Sequence, residues 1–124
     1  QNGDIFAPCA LGGTLNPETV PNIRCPVVCG VANNQLSDET VGRVLLQNSI
    51  LYAPDYVVNA GGVINLSFEL TDTGYDESAA MNKVRQIRET MENIISISKQ
   101  KQIPTSEVAD ALAEERINAA KLRQ

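Results

Sequence analysis

A chain of 124 residues that is 43% hydrophobic and 20% charged is long enough for one modest core and too apolar to remain disordered. Its net charge of −5, with no Lys/Arg cluster interleaved with aromatics, argues against nucleic acid as a partner. No apolar run approaches a membrane span and nothing at the start reads as a signal peptide, so no membrane partner is expected.

The chain opens at Gln1, not Met, and Asp4 to Pro8 already reads as an apolar strand, so a start inside a domain is expected. Cys9-Ala-Leu-Gly-Gly-Thr14 is a small-residue loop, and Asn16-Pro-Glu-Thr19 has helix-start chemistry for a short turn over 17–23. Cys25 to Val31 is a second apolar strand, with Pro26 near its beginning, where a missing N–H does least harm. It runs into Ala32-Asn33-Asn34. Ser37 is placed to cap a helix running to about Gln47, with Leu36 and Val41 as a hydrophobic staple. Leu51 to Val58 reads as a third, buried strand despite Pro54 and Asp55.

Asn59 and Ala60-Gly61-Gly62 follow. They suit either an ordinary strand-to-helix corner or a place where backbone comes close to a ligand. A short helix is expected from Asn65 to about Leu70, then a turn over Thr71 to Gly74. From about Asp76 to Lys101 a long amphipathic helix carries Ala80, Val84, Ile87, Met91, Ile94 or Ile95 and Ser98 on one face. Pro104 ends it. Thr105 is the expected cap of a last, Ala-rich helix with Val108, Leu112 and Ile117, which would suit packing on another domain or subunit. Apolar strands alternating with helices predict an α/β fold with a parallel sheet built by right-handed crossovers.

Cys9, Cys25 and Cys29 do not form a disulfide framework. Four residues of strand would hold Cys25 and Cys29 about 13 Å apart, beyond bridging distance. Buried free thiols in a reducing, cytoplasmic setting are expected. The chain has no histidine and no C-x-x-C, which argues against a zinc site and against Ser-His or Cys-His catalysis.

The three expected strands all finish in small or neutral polar residues: Cys9-Ala10-Leu11-Gly12, Ala32-Asn33-Asn34 and Asn59-Ala60-Gly61. In an open parallel sheet, ligands sit outside the carboxyl ends of the strands. Such a rim can orient an uncharged ring or amide through amide donors and acceptors, and it carries no acid–base pair. Asp55, the one acid nearby, is expected to be structural.

Asp4-Ile-Phe-Ala-Pro-Cys-Ala-Leu-Gly-Gly13, Ala32-Asn-Asn-Gln-Leu36, Tyr52-Ala-Pro-Asp-Tyr-Val-Val-Asn-Ala-Gly-Gly-Val-Ile-Asn65 and Ala113-Glu-Glu-Arg-Ile117 follow one another in the order of a known family. Nearly end to end, the chain resembles the glutamate/leucine/phenylalanine/valine dehydrogenases, the leucine, phenylalanine and tryptophan types among them. The resemblance implies the second half of a Rossmann-type, doubly wound sheet over about 1–70 and C-terminal helices over about 71–124. It places the catalytic lysine, the G-x-G-x-x-G loop and the residue discriminating NAD from NADP upstream of these residues. This chain alone is therefore expected to turn over no amino acid and to hold no catalytic residue.

What the resemblance implies for the site is specific. NAD is the implied cofactor, with NADP left open by these residues, and Cys9, Ala10 and Leu11 would lie along its nicotinamide end and Ala32 and Asn33 towards the nicotinamide ribose. Asn34 would stand between nicotinamide and the polar end of the substrate, and Asn59 would hydrogen-bond the carboxamide. Val63 and Leu66 would line the substrate side-chain pocket. Val63 matches the leucine branch, whereas Leu66 stands where that branch usually has valine and matches the phenylalanine branch. One methylene in such a pocket decides only about 1–3 kcal/mol, so aliphatic and aromatic substrates both stay open. The implied activity is reversible oxidative deamination of an apolar L-amino acid to the 2-oxo acid and ammonia, within a cytoplasmic homo-oligomer. Alternative readings of the same residues are a non-catalytic nucleotide-binding or regulatory module and a subunit-assembly piece.

Overall fold

The computed structural model describes residues 2–71 and 74–122. Three short parallel strands, β1 (Ile5–Phe6), β2 (Val27–Val28) and β3 (Leu51–Tyr52), form a sheet in that order. Ile5 and Phe6 register with Val27 and Val28, which register in turn with Leu51 and Tyr52. Among the described residues five α-helices accompany them: α1 (Thr40–Gln47), α2 (Asp55–Val58), α3 (Gly61–Glu69), α4 (Glu77–Lys101) and α5 (Thr105–Lys121). A single 3₁₀ turn, Val20–Asn22, lies between β1 and β2, within the span expected to be helical.

The strands are shorter than their apolar runs because prolines bracket them. Pro8 follows β1, Pro26 precedes β2 and Pro54 follows β3, and none has an N–H to give to a ladder. As acceptors they still contribute: the Leu51 N–H donates to the Pro26 carbonyl (2.9 Å) and the Ala32 N–H to that of Pro8 (3.1 Å).

Four local expectations are corrected. Residues 55–58 are helical: Pro54, with φ −55°, ends β3, and the N–H groups of Val57 and Val58 fold back onto its carbonyl. Ser37 does not cap α1; its hydroxyl donates to Asp38, whose carboxylate takes the Thr40 N–H at 2.9 Å. The Thr40 hydroxyl, then the Ser37 hydroxyl and the Thr40 N–H, hold the Asp38 carboxyl below its usual range. Thr105 is the first residue of α5, and its hydroxyl donates across the fold to the Tyr52 carbonyl (2.6 Å), tying α5 to β3. The helix expected from Asn65 begins at Gly61. The long helix is as expected, with the Asp76 carboxylate accepting from the Ala79 N–H (2.9 Å), Gln102 left-handed at its end (φ 55°) and Pro104 beyond. Of the expected turn at 71–74, Asp72 and Thr73 lie outside the described residues.

One core joins Leu15, Val28, Val41, Leu45 and Tyr52 between the sheet and α1; another joins Ile94, Val108 and Ala109 between α4 and α5. Leu45 is wholly buried, so Leu45→Ala is expected to cost about 3 kcal/mol, read as a fall in the urea midpoint. Along α4, Ala80, Ile94 and Ser98 are buried and Val84, Ile87 and Met91 half-buried, so the stripe is core. On α5, Val108 is buried and Leu112 half-buried, while Ile117 is exposed. All three cysteines are free thiols, but Cys9 is exposed and Cys25 and Cys29, which flank β2, are only partly buried. The expectation of buried thiols fails because the strand is too short to carry them inward.

Candidate functional site at the carboxyl ends of the strands

Because β1, β2 and β3 run parallel, the segments leaving them emerge at one edge of the sheet. Their closeness there follows from small residues. A Cβ added at Gly30 would lie 2.1 Å from the carbonyl oxygen of Pro8, so the segment after β2 rests directly on the backbone after β1. A Cβ at Gly12 would lie 2.9 Å from the Asn33 carbonyl oxygen. The Gly13 N–H donates to the Asn34 carbonyl (2.8 Å), and the Leu15 N–H to that of Gln35 (2.9 Å).

Buried polar groups then shape the 30–35 loop. Gln35, fully buried, donates from Nε2 to the carbonyls of Gly30 and Ala32, both at 2.9 Å, and so closes the loop on itself. Asn34 holds a left-handed backbone (φ 53°), which asparagine tolerates better than most residues. Its N–H donates to Asp55 Oδ2 at 2.8 Å. Asp55, 6% exposed, also accepts the Tyr52 hydroxyl on Oδ1 at 2.6 Å. Burial, and then that bond to Asp55, push the Tyr52 phenol up from its ordinary value. The carboxylate is therefore the post on which the Asn34 loop is fixed.

Asn59, at the end of α2, donates from Nδ2 to Asn33 Oδ1 (2.6 Å) and lies 3.4 Å from the Val31 carbonyl. The loop after β1, the Asn33–Asn34 loop and Asn59 thus form one rim. Cys9, Ala10, Leu11, Asn33 and Asn34 are exposed along it, Asn59 is half-buried, and Ala32 is buried, so only its backbone could meet a ligand. Val63 and Leu66 lie one turn apart on α3, 74% and 54% exposed. They form an open apolar face with no cover among the described residues.

Sequence reasoning missed Gln35 and Gly30, and took Asp55 for a strand residue. A buried amide and a backbone-on-backbone contact leave no trace in local periodicity. A separate cleft of about 540 Å³ between α1, α2 and α5 takes in Asn34 but no other residue expected in the site. Its walls carry Asp38, Glu39, Glu107 and Asp110, while Arg43 is paired with Glu107 (2.8 Å), so the cleft would repel phosphate. Among the described residues no group of three or more His, Cys, Asp or Glu is placed to hold a metal ion. No described helix is long and apolar enough to cross a membrane.

Residues 1–124 match the model of the glutamate/leucine/phenylalanine/valine dehydrogenases along their whole length. The chain is 49% identical over 114 residues to leucine dehydrogenase of Geobacillus stearothermophilus, which covers 92% of this chain and 30% of that protein. It is 48% identical over 124 residues to valine dehydrogenase of Streptomyces albus, covering all of this chain and 34% of that protein. The crystal structure of L-tryptophan dehydrogenase from Nostoc punctiforme shares its fold with a TM-score of 0.90 at 46% identity, over 98% of this chain and 36% of that one. The chain therefore spans about a third of the length of the relatives it matches.

Proposed function

Because this chain belongs to the glutamate/leucine/phenylalanine/valine dehydrogenase family, we propose that it supplies the nicotinamide end of the Rossmann-type domain of an NAD-dependent amino-acid dehydrogenase. The reaction is the reversible oxidative deamination of an apolar L-amino acid to its 2-oxo acid and ammonia, in a cytoplasmic oligomer. The observation that carries this reading is the shared rim, in which Asn59 is bonded to Asn33 at 2.6 Å beside the Asn34 loop.

When bound, the nicotinamide ring supplies hydride transfer, and the chain's own part is binding and orientation. The exposed Cys9 and Ala10 are small enough to leave room for a flat ring against the loop after β1, with the exposed Leu11 side chain as an apolar neighbour. The Ala32 backbone and Asn33 stand towards its ribose, and Asn59 meets the carboxamide. Asn34, pinned by Asp55, offers its amide between ring and substrate. Val63 and Leu66, apolar and open on α3, suit the wall of a pocket that rejects charged side chains. The division of the chain into a sheet portion to about residue 70 and helices beyond belongs to the same reading.

The test is a screen of the complete enzyme with Leu, Val, Ile, Phe and Trp, followed by NADH absorbance, beside the variant Leu66→Ala. Turnover of at least one of the five is expected. Removing the Leu66 side chain should raise kcat/KM for the larger side chains relative to Val by about 10-fold, as one pocket wall recedes. No turnover of any of the five would overturn the assignment, and an unchanged preference would remove Leu66 from the pocket.

A further inference from the structure

An asparagine side chain shows a ligand either its carbonyl oxygen or its NH2, and the two ends recognise opposite partners. At Asn59 the protein has already engaged the NH2 end: Nδ2 is 2.6 Å from Asn33 Oδ1 and 3.4 Å from the Val31 carbonyl oxygen. Among the described residues nothing donates to Asn59 Oδ1. The residue is half-buried at the rim, so its free oxygen is what remains for a ligand.

Building on the assignment of Asn59 to the carboxamide, we propose that Asn33 is a positioning residue that acts through Asn59. By accepting an N–H of Asn59 it turns the Asn59 oxygen outward as a hydrogen-bond acceptor. The site thereby selects a nicotinamide ring whose 3-substituent carries an N–H donor. Asn33 is itself held in place by its neighbours. Gly12 lies under its carbonyl, and the next residue, Asn34, is anchored to Asp55 at 2.8 Å. The orientation of Asn59 is thus set by a loop that is fixed before any cofactor arrives.

The experiment compares NAD+ with 3-acetylpyridine adenine dinucleotide in the complete enzyme and in Asn33→Ala and Asn33→Asp. The analogue keeps a carbonyl on the ring but has no N–H to offer Asn59. Asn33→Ala is expected to raise KM for NAD+ about 10-fold, the loss of one well-placed hydrogen bond, with kcat changing less. KM for the analogue should rise by only about 2- to 3-fold, since it shares the ribose that Asn33 faces but never used that bond. Asn33→Asp keeps the accepting oxygen and should restore KM for NAD+ to within about 3-fold of the unsubstituted enzyme. Equal losses with both cofactors, or no rescue by aspartate, would overturn the positioning role while leaving the dehydrogenase assignment standing. An unsubstituted enzyme that neither binds NADH nor uses NAD+ would overturn both.

Discussion

Gly30→Ala is expected to destabilise the protein that carries this chain by about 3 kcal/mol or more, the largest effect of any single methyl here. The added Cβ would sit 2.1 Å from the Pro8 carbonyl oxygen and 2.6 Å from the Pro8 nitrogen. Both are backbone atoms of a buried residue, and the same Pro8 carbonyl accepts the Ala32 N–H at 3.1 Å. No rotamer change relieves such a contact, so two segments would have to separate. Their separation would also break the bonds that the Ala32 N–H (3.1 Å) and Gln35 Nε2 (3.5 Å) make to the Pro8 carbonyl and open the rim. Gly62→Ala is the matching control: no atom lies within 4 Å of its Cβ and it sits inside α3, so a gain of up to about 1 kcal/mol is expected. Urea midpoints of the two variants decide it. Equal midpoints would mean that the β1 and β2 ends are not in direct contact.

Asp55→Ala is expected to cost about 3 kcal/mol, because two donors lose a charged acceptor in a place where water enters poorly. The Tyr52 hydroxyl (2.6 Å) and the Asn34 N–H (2.8 Å) would both be left unpaired. The effect should be local as well as global. With its N–H released, Asn34 has less to hold its left-handed backbone, and amide exchange at Asn34 should quicken by more than the overall loss of stability explains. Asp55→Asn keeps one accepting oxygen and should fall between the two. Unchanged exchange at Asn34 in Asp55→Ala would show that the loop is held by Gln35 and Gly13 instead.

These two positions also mark where local sequence information ends. The alternation of apolar strands with helices, the reach of α4 and α5 and the apolar stripe on α4 are all written in hydrophobic period and in Asp76 and Pro104 at the ends of α4. Burial of one face needs no distant partner to be legible. The amide-rich, small-residue character of each strand end was equally plain, as was the order of the motifs that points to the family. The end of β3 was not: Val57 and Val58 suit strand or helix alone, and it was Pro54 that folded them back, carrying Asn59 to the end of a helical turn.

Ser37 and Thr105 look like caps by composition, yet the Thr40 N–H at the start of α1 goes to the Asp38 carboxylate and the Thr105 hydroxyl to the Tyr52 carbonyl, 53 residues away. Gln35, Gly30 and Asp55 acquire their roles only from groups brought against them by the packed sheet. A hydrophobic pattern records how much of a residue is buried. Which donor meets which acceptor across 21 or 26 residues, as in Asn34 with Asp55 and Asn33 with Asn59, is decided when those segments are pressed together.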